Sequence, residues 1–180
     1  MKEYRNLKKD EIIKRLLAVD VKVYNTYQLP HKIKMCIAGS VCSIFYIHDY
    51  RFTDDIDIIQ TNYKINEELL NEFDLNTDVQ HIADMNIPFT FMERIKYIPL
   101  PTLAVDYYLI SLGDYVIMKL MAYREKDKFD INKESLANQI DWNLMDVLVS
   151  EMNEIFLNER IKYEFLQIYE DYKERWKYAK

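Results

Sequence analysis

Two aspartates separated by a single residue, Asp55 and Asp57, are the side chains in this sequence best placed to do chemistry. They lie in D-D-I-D-I-I-Q, Asp54 to Gln60, whose alternation predicts a β-strand. Residues two apart on a strand share a face, so the carboxylates project together while Ile56 and Ile58 turn toward a core. Adjacent carboxylates repel unless a cation or a proton lies between them. Hard oxygen ligands suit Mg2+, which is commonly held by one or two carboxylates together with substrate phosphates. Upstream, Ile33 to Ala38 reads as a short strand running into Gly39-Ser40. A helix starting there would offer backbone N–H groups to a phosphate. Gly39 would permit close approach, and the Ser40 hydroxyl would add a donor. By spacing alone, the two aspartates equally fit the solvent face of an amphipathic edge strand.

The flanking elements must hold these groups in place. Lys9 to Gln28 carries Ile12, Ile13, Leu16, Leu17, Val23, Tyr24 and Tyr27 at near-helical spacing, and Leu29-Pro30 ends that helix. Ser40 to His48 suits a strand or a buried helix by composition, with Ser40 able to cap a helix. A short helix is expected over Ile65 to Phe73. Strands are expected near Val79 to Ala83, near Ile95 to Ile98 (stopped by Pro99), and over Val105 to Ile110. Ser111 to Asp114 has the S-x-x-D form of a helix start. The helix that follows runs to about Arg124 and buries Val116, Leu120 and Tyr123. Asp141 to Phe156 places Leu144, Leu148, Met152 and Ile155 on one face. Asn158 caps a last helix with Ile161, Phe165, Ile168, Tyr172 and Trp176 on its apolar stripe. The order predicts an α+β fold, a small mixed sheet flanked by helices with a helical C-terminal part. Residues 1–130 would form the α/β domain and residues 131–180 a helical extension packed on it.

The stretch from Ala38 to Ile59 resembles the signature of the nucleotidyltransferase superfamily, a glycine-serine pair followed by a D-x-D strand. That resemblance selects a helix after Ser40. The R-x-T-x-D-I-D form of Arg51, Thr53, Asp55, Ile56 and Asp57 is similar to uncharacterised bacterial nucleotidyltransferase-like domains and to toxin-type (abortive-infection) relatives. Further matching features are the Tyr107 to Leu112 strand, the helix of Lys119, and the Lys126-Asp127-x-x-Asp130 ending. The resemblance implies that Gly39 and Ser40, with Arg51 and Thr53, hold a nucleoside triphosphate. It implies that Asp55 and Asp57 bind catalytic Mg2+ and that Lys119 reaches a phosphate or orients the site. Asp127 and Asp130 would support the site or position an acceptor: tRNA, protein or small molecule. Active members usually add a third carboxylate from a later strand. Asp78, Asp84 and Asp106 are the candidates, Asp84 lying nearest the expected next strand. Many relatives also have two glycines where this chain has Ala38-Gly39. The alternative is an inactive binding module on the same fold, or a toxin–antitoxin component.

Composition bounds these readings. The chain has 180 residues, 49% of them hydrophobic, enough for a sizeable core. Thirty acidic residues against 24 basic ones give a net charge of −6, which argues against broad DNA binding but not against a local basic patch. With only two glycines, Gly39 and Gly113, no G-x-G-x-x-G or G-x-x-x-x-G-K-[ST] loop can be written. Cys36 and Cys42 read as buried thiols, and His31, His48 and His81 are scattered. A charged N-terminus and short apolar runs predict a cytoplasmic chain with no membrane span. The 15 tyrosines fall mostly at core-like helical positions. The apolar stripe of the last helix is core or a contact for a second copy.

Overall fold

The structure is a computed structural model, and it describes residues 7–47, 53–60, 62–78 and 86–178. These fall into two compact units. The first comprises the described residues up to 78 together with Arg94–Ile110, and the second comprises 86–93 and 111–178.

The first unit holds the sheet. Helix α1 (Lys9–Tyr27) buries Ile12, Leu16, Val19, Asp20 and Val23, and it ends where Gln28 turns left-handed (φ 47°) ahead of Leu29-Pro30. There follow β1 (Ile33–Ile37), α2 (Ser40–Tyr46), β2 (Ile56–Gln60), α3 (Glu67–Asn71), β3 (Leu75–Asn76), β4 (Lys96–Ile98) and β5 (Val105–Leu109). The strand order is β3-β2-β1-β5-β4. β1 runs parallel to β5 and antiparallel to β2; β2 is parallel to β3, and β4 antiparallel to β5. The expected small mixed sheet of an α+β fold is present.

Register decides which residues share a face. Cys36 stands opposite Ile59 and beside Tyr108, Lys34 beside Asp106, and Tyr97 opposite Tyr108. One face therefore carries Asp57, Cys36, Lys34, Asp106, Tyr108 and Tyr97. The other carries Ile33, Met35, Ile37, Ile56, Ile58, Val105 and Tyr107, all buried. The Tyr107 hydroxyl donates to the Leu16 carbonyl at 2.7 Å, tying α1 to this face. Burial, and then the nearby Asp20 carboxylate, push that hydroxyl well above the usual tyrosine range.

Three details differ from expectation. Ser40 is the first residue of α2, and Gly39 stands at the cap position expected for it. β2 begins at Ile56, so Asp55 lies in the bend before it. β3 was not foreseen, because two residues carry no periodicity. The strand expected over Val79 to Ala83 lies outside the described residues.

One clamp in this unit was invisible in the sequence. The buried Asp20 carboxylate accepts the N–H of Leu103 at 2.8 Å, Ala104 at 2.7 Å and Val105 at 2.8 Å. It thereby fixes the entry into β5 from α1. Asp20→Ala strands three amides, so it should destabilise the protein by about 3 kcal/mol or more, read as a shift in the urea midpoint. An unchanged midpoint would show that water replaces the carboxylate there.

The second unit is helical: α4 (Leu112–Ala122), α5 (Glu125–Ile131), α6 (Glu134–Ala137), α7 (Trp142–Ile155) and α8 (Glu159–Lys173), closed by a π-turn over Glu174–Tyr178. The caps expected at Ser111 and Asn158 are present, and Asp141 caps α7 as well. The Ser111 hydroxyl accepts the Asp114 N–H and donates to its carboxylate at 2.6 Å. Asp141 accepts the N–H groups of Asn143 and Leu144, and Asn158 those of Arg160 and Ile161. α4 is buried at Leu112 and from Asp114 to Leu120, the mark of a central helix. It stops at Ala122, and Tyr123 is its left-handed cap (φ 41°) rather than a core residue. α8 buries Phe165, Tyr169 and Tyr172, while Ile161 is exposed, so its inner stripe is rotated from the expected one. The tyrosines can be inside because their hydroxyls are satisfied: Tyr169 donates to Asp146 at 2.5 Å, and Tyr172 to the Ile131 carbonyl at 3.0 Å. Among the described residues no helix is long and apolar enough to cross a membrane.

Candidate functional site

The turn from β1 into α2 is where the sequence's chemistry gathers. Gly39 precedes the first residue of α2, with φ 64° and ψ −154°, a conformation essentially reserved for glycine. A Cβ built on Gly39 would lie 1.8 Å from Asp57 Oδ2 and 2.7 Å from its Cγ. The carboxylate of Asp57 therefore rests directly on the Gly39 backbone. Its own backbone is fixed by the bond from the Ala38 N–H to the Asp57 carbonyl at 2.9 Å. Asn76 of β3 holds the side chain from the other side, its Nδ2 donating to Oδ1 at 3.3 Å.

The neighbours follow from the same turn. Ser40 is the first helical residue of α2 and is partly exposed. First-turn amides of a helix have no intrahelical acceptor, which suits them to an anion. Thr53 is buried, bridges to Leu7, and donates its hydroxyl to the Asp55 carbonyl at 3.2 Å, shaping the bend that carries Asp55. Asp55 is half-buried. Gly39, Ser40, Thr53, Asp55 and Asp57 thus all belong to the first unit, around the facing ends of β1 and β2. Arg51, assigned to the triphosphate, lies outside the described residues.

The donor set fits a hard divalent cation. A phosphate brought to the start of α2 would meet the Asp57 carboxylate already lying there, and two anions share such a place only with a cation between them. Among the described residues no group of three His, Cys, Asp or Glu side chains converges as a metal site. Asp106 instead pairs with Lys32 at 3.1 Å. Asp78 follows β3 and is exposed, and Asp84 lies outside the described residues.

Lys119, Asp127 and Asp130 come together in the second unit. The Lys119 ammonium is 2.9 Å from Asp127 Oδ1 and 2.8 Å from Asp130 Oδ2, and all three residues are buried. Arg124 closes the cluster, its Nε donating to Asp127 Oδ2 at 2.6 Å and its Nη2 to Oδ1 at 3.2 Å. Burial alone would raise the Asp127 carboxyl. The Arg124 hydrogen bonds, with the charge and hydrogen bond of Lys119, outweigh it and hold that carboxyl below its usual range. The sequence reading missed Arg124, although R-x-x-D at a helix start was a usable signal. It also missed Asn76, which no spacing rule could have found because β3 was not expected.

A family model described as "Nucleotidyltransferase of unknown function (DUF6036)" matches residues 14–177. Comparison with curated proteins and with solved structures returned no match.

Proposed function

The chain belongs to this family of nucleotidyltransferases of unknown function, and from that premise we propose that it transfers a nucleotide from a nucleoside triphosphate to an acceptor hydroxyl. In this reading the acceptor hydroxyl gives up its proton to solvent water, its oxygen forms a bond to the α-phosphorus, the bond from that phosphorus to the α–β bridging oxygen breaks, and pyrophosphate leaves. The observation that carries the reading is the seating of Asp57 on the Gly39 turn, at the start of α2. Gly39 and Ser40 would bind phosphate oxygens through the turn and first-turn amides. Asp55 and Asp57 would hold Mg2+, which when bound neutralises charge on the transferring phosphoryl group. Thr53 and Asn76 would position the two carboxylates. Lys119, Asp127 and Asp130 would support the transfer as a fixed cluster, and Arg51 would contribute to phosphate binding. The acceptor would be a tRNA, a protein or a small molecule.

The test uses each NTP labelled at the α-phosphate, with Mg2+ and a pool of total RNA and protein, alongside calorimetry of NTP binding. The parent should label an acceptor and release pyrophosphate. Asp55→Ala and Asp57→Ala should lose both, and chelation of the metal should do the same. Labelling by both variants at the parental rate would sink the assignment. A second reading, a nucleotide-binding module without turnover, draws on two of the candidate third acids being engaged elsewhere or turned to solvent, Asp106 at Lys32 and Asp78. It predicts Mg2+-dependent NTP binding with no pyrophosphate released.

A further inference from the structure

The face of the sheet that carries Asp57 is buried at Ile59 and Cys36, and toward β5 and β4 it presents lysines and tyrosines that the transfer chemistry does not use. Tyr97 and Tyr108 stand opposite each other on β4 and β5, their rings edge to face at 5.5 Å. Tyr97 is 50% exposed although it is half of an aromatic pair. Lys34, on the neighbouring strand, sets its ammonium 6.0 Å from the Tyr108 ring centre, and Lys32 lies beyond it at Asp106. In a chain of net charge −6, Lys32 and Lys34 against the single carboxylate of Asp106 leave a positive excess beside the exposed Tyr97 ring.

We propose that this surface binds the unpaired bases of a single-stranded polynucleotide, with Tyr97 as the stacking ring and Lys34 at the phosphodiester backbone. An exposed aromatic ring with a lysine beside it suits single strands, since every base has a π-face and every linkage a charge. The reach favours a polynucleotide over the NTP's own base. β2 and β4 are separated by β1 and β5, so Tyr97 lies three strand spacings from Asp57, roughly 14 Å at about 4.8 Å each, before any offset along the strands. A nucleotide anchored by its phosphates at Gly39 would leave that distance for a further residue of a strand. The inference rests on the nucleotidyl-transfer reading only for the fate of the bound strand, which would be the acceptor; the binding stands apart from it.

The experiment measures affinity for a fluorescent 12-nucleotide single-stranded oligonucleotide, for the same sequence as a duplex, and for NTP with Mg2+. The parent should prefer the single strand. Tyr97→Ala should weaken oligonucleotide binding about tenfold or more, as loss of one stacked base does, and leave NTP affinity unchanged. Tyr97→Phe should keep the parental affinity, and Lys34→Gln should lower the salt dependence by about one phosphate contact. Melting temperatures of the variants separate binding from the cross-strand packing of the pair. No oligonucleotide binding by the parent, equal affinity for duplex, or a Tyr97→Ala defect confined to NTP would each overturn the proposal. The first of these would leave transfer to a protein or small molecule standing.

Discussion

Gly39→Ala is expected to cost about a hundredfold or more in pyrophosphate release, because it displaces the carboxylate on which the site is built. The backbone there has φ 64° and ψ −154°, where an L side chain brings about 1–3 kcal/mol of strain. The added methyl would also occupy the place of Asp57 Oδ2, 1.8 Å away, with Cγ at 2.7 Å and the Asp57 Cβ at 2.9 Å. Rotating the carboxylate is not sufficient relief, since the Asp57 Cβ itself is in the way. The β2 backbone must move from β1, or Asp57 must leave Asn76. Gly113→Ala is the matched control. Its methyl meets the Leu148 Cδ1 at 2.8 Å, the end of a flexible side chain, and its φ is not in the left-handed region. Gly113→Ala should therefore shift the melting temperature slightly and leave transfer unchanged. Parental turnover by Gly39→Ala would show that the β1–α2 turn is not where the phosphates sit.

Much of this arrangement is legible in the sequence, for identifiable reasons. Asp55 and Asp57 flank an isoleucine that must be buried, and Gly39 is one of only two glycines, so backbone need and chemical need coincide at one turn. Ser111, Asp141 and Asn158 mark helix starts because an oxygen one residue ahead of a helix has an obvious task. What was not legible depends on contacts distant in the chain. Asp20 reads as a polar interruption of an amphipathic helix, yet it is the residue that organises residues 103–105. Asn76 reads as loop, yet it holds Asp57. The inner face of α8 was misplaced because hydrophobicity ranks Ile161 and Ile168 above Tyr169, whereas burial also rewards a tyrosine whose hydroxyl has Asp146 to meet. Pattern rules weigh a residue by its own type, and these three positions are decided by their partners.

Lys119→Met should destabilise the protein by about 3–5 kcal/mol, the usual cost of removing one partner from a buried ion cluster. That is a large part of the stability of a typical domain, so the unfolding midpoint in urea would fall steeply. The pH dependence separates charge from packing. In the parent, Asp127 is held below its ordinary value, so it adds stability that is full above the unfolded carboxylate pKa, near 4, and is lost as the pH falls through its folded value. In the variant, Lys119 no longer offsets burial, and the folded value of Asp127 moves upward. Its ionised form is then less favoured in the fold than before, so the variant should suffer most at neutral pH. The gap between parent and variant should narrow as the pH falls below the variant's folded value and close as it passes through the parent's, which lies below the ordinary carboxylate value. Adding Asp130→Asn to Lys119→Met removes a second charge from the same cluster, and it should recover part of the lost stability at neutral pH. A deficit constant across pH, with no recovery in the double variant, would mean that Lys119 matters for the volume it fills and not for the two carboxylates it bridges.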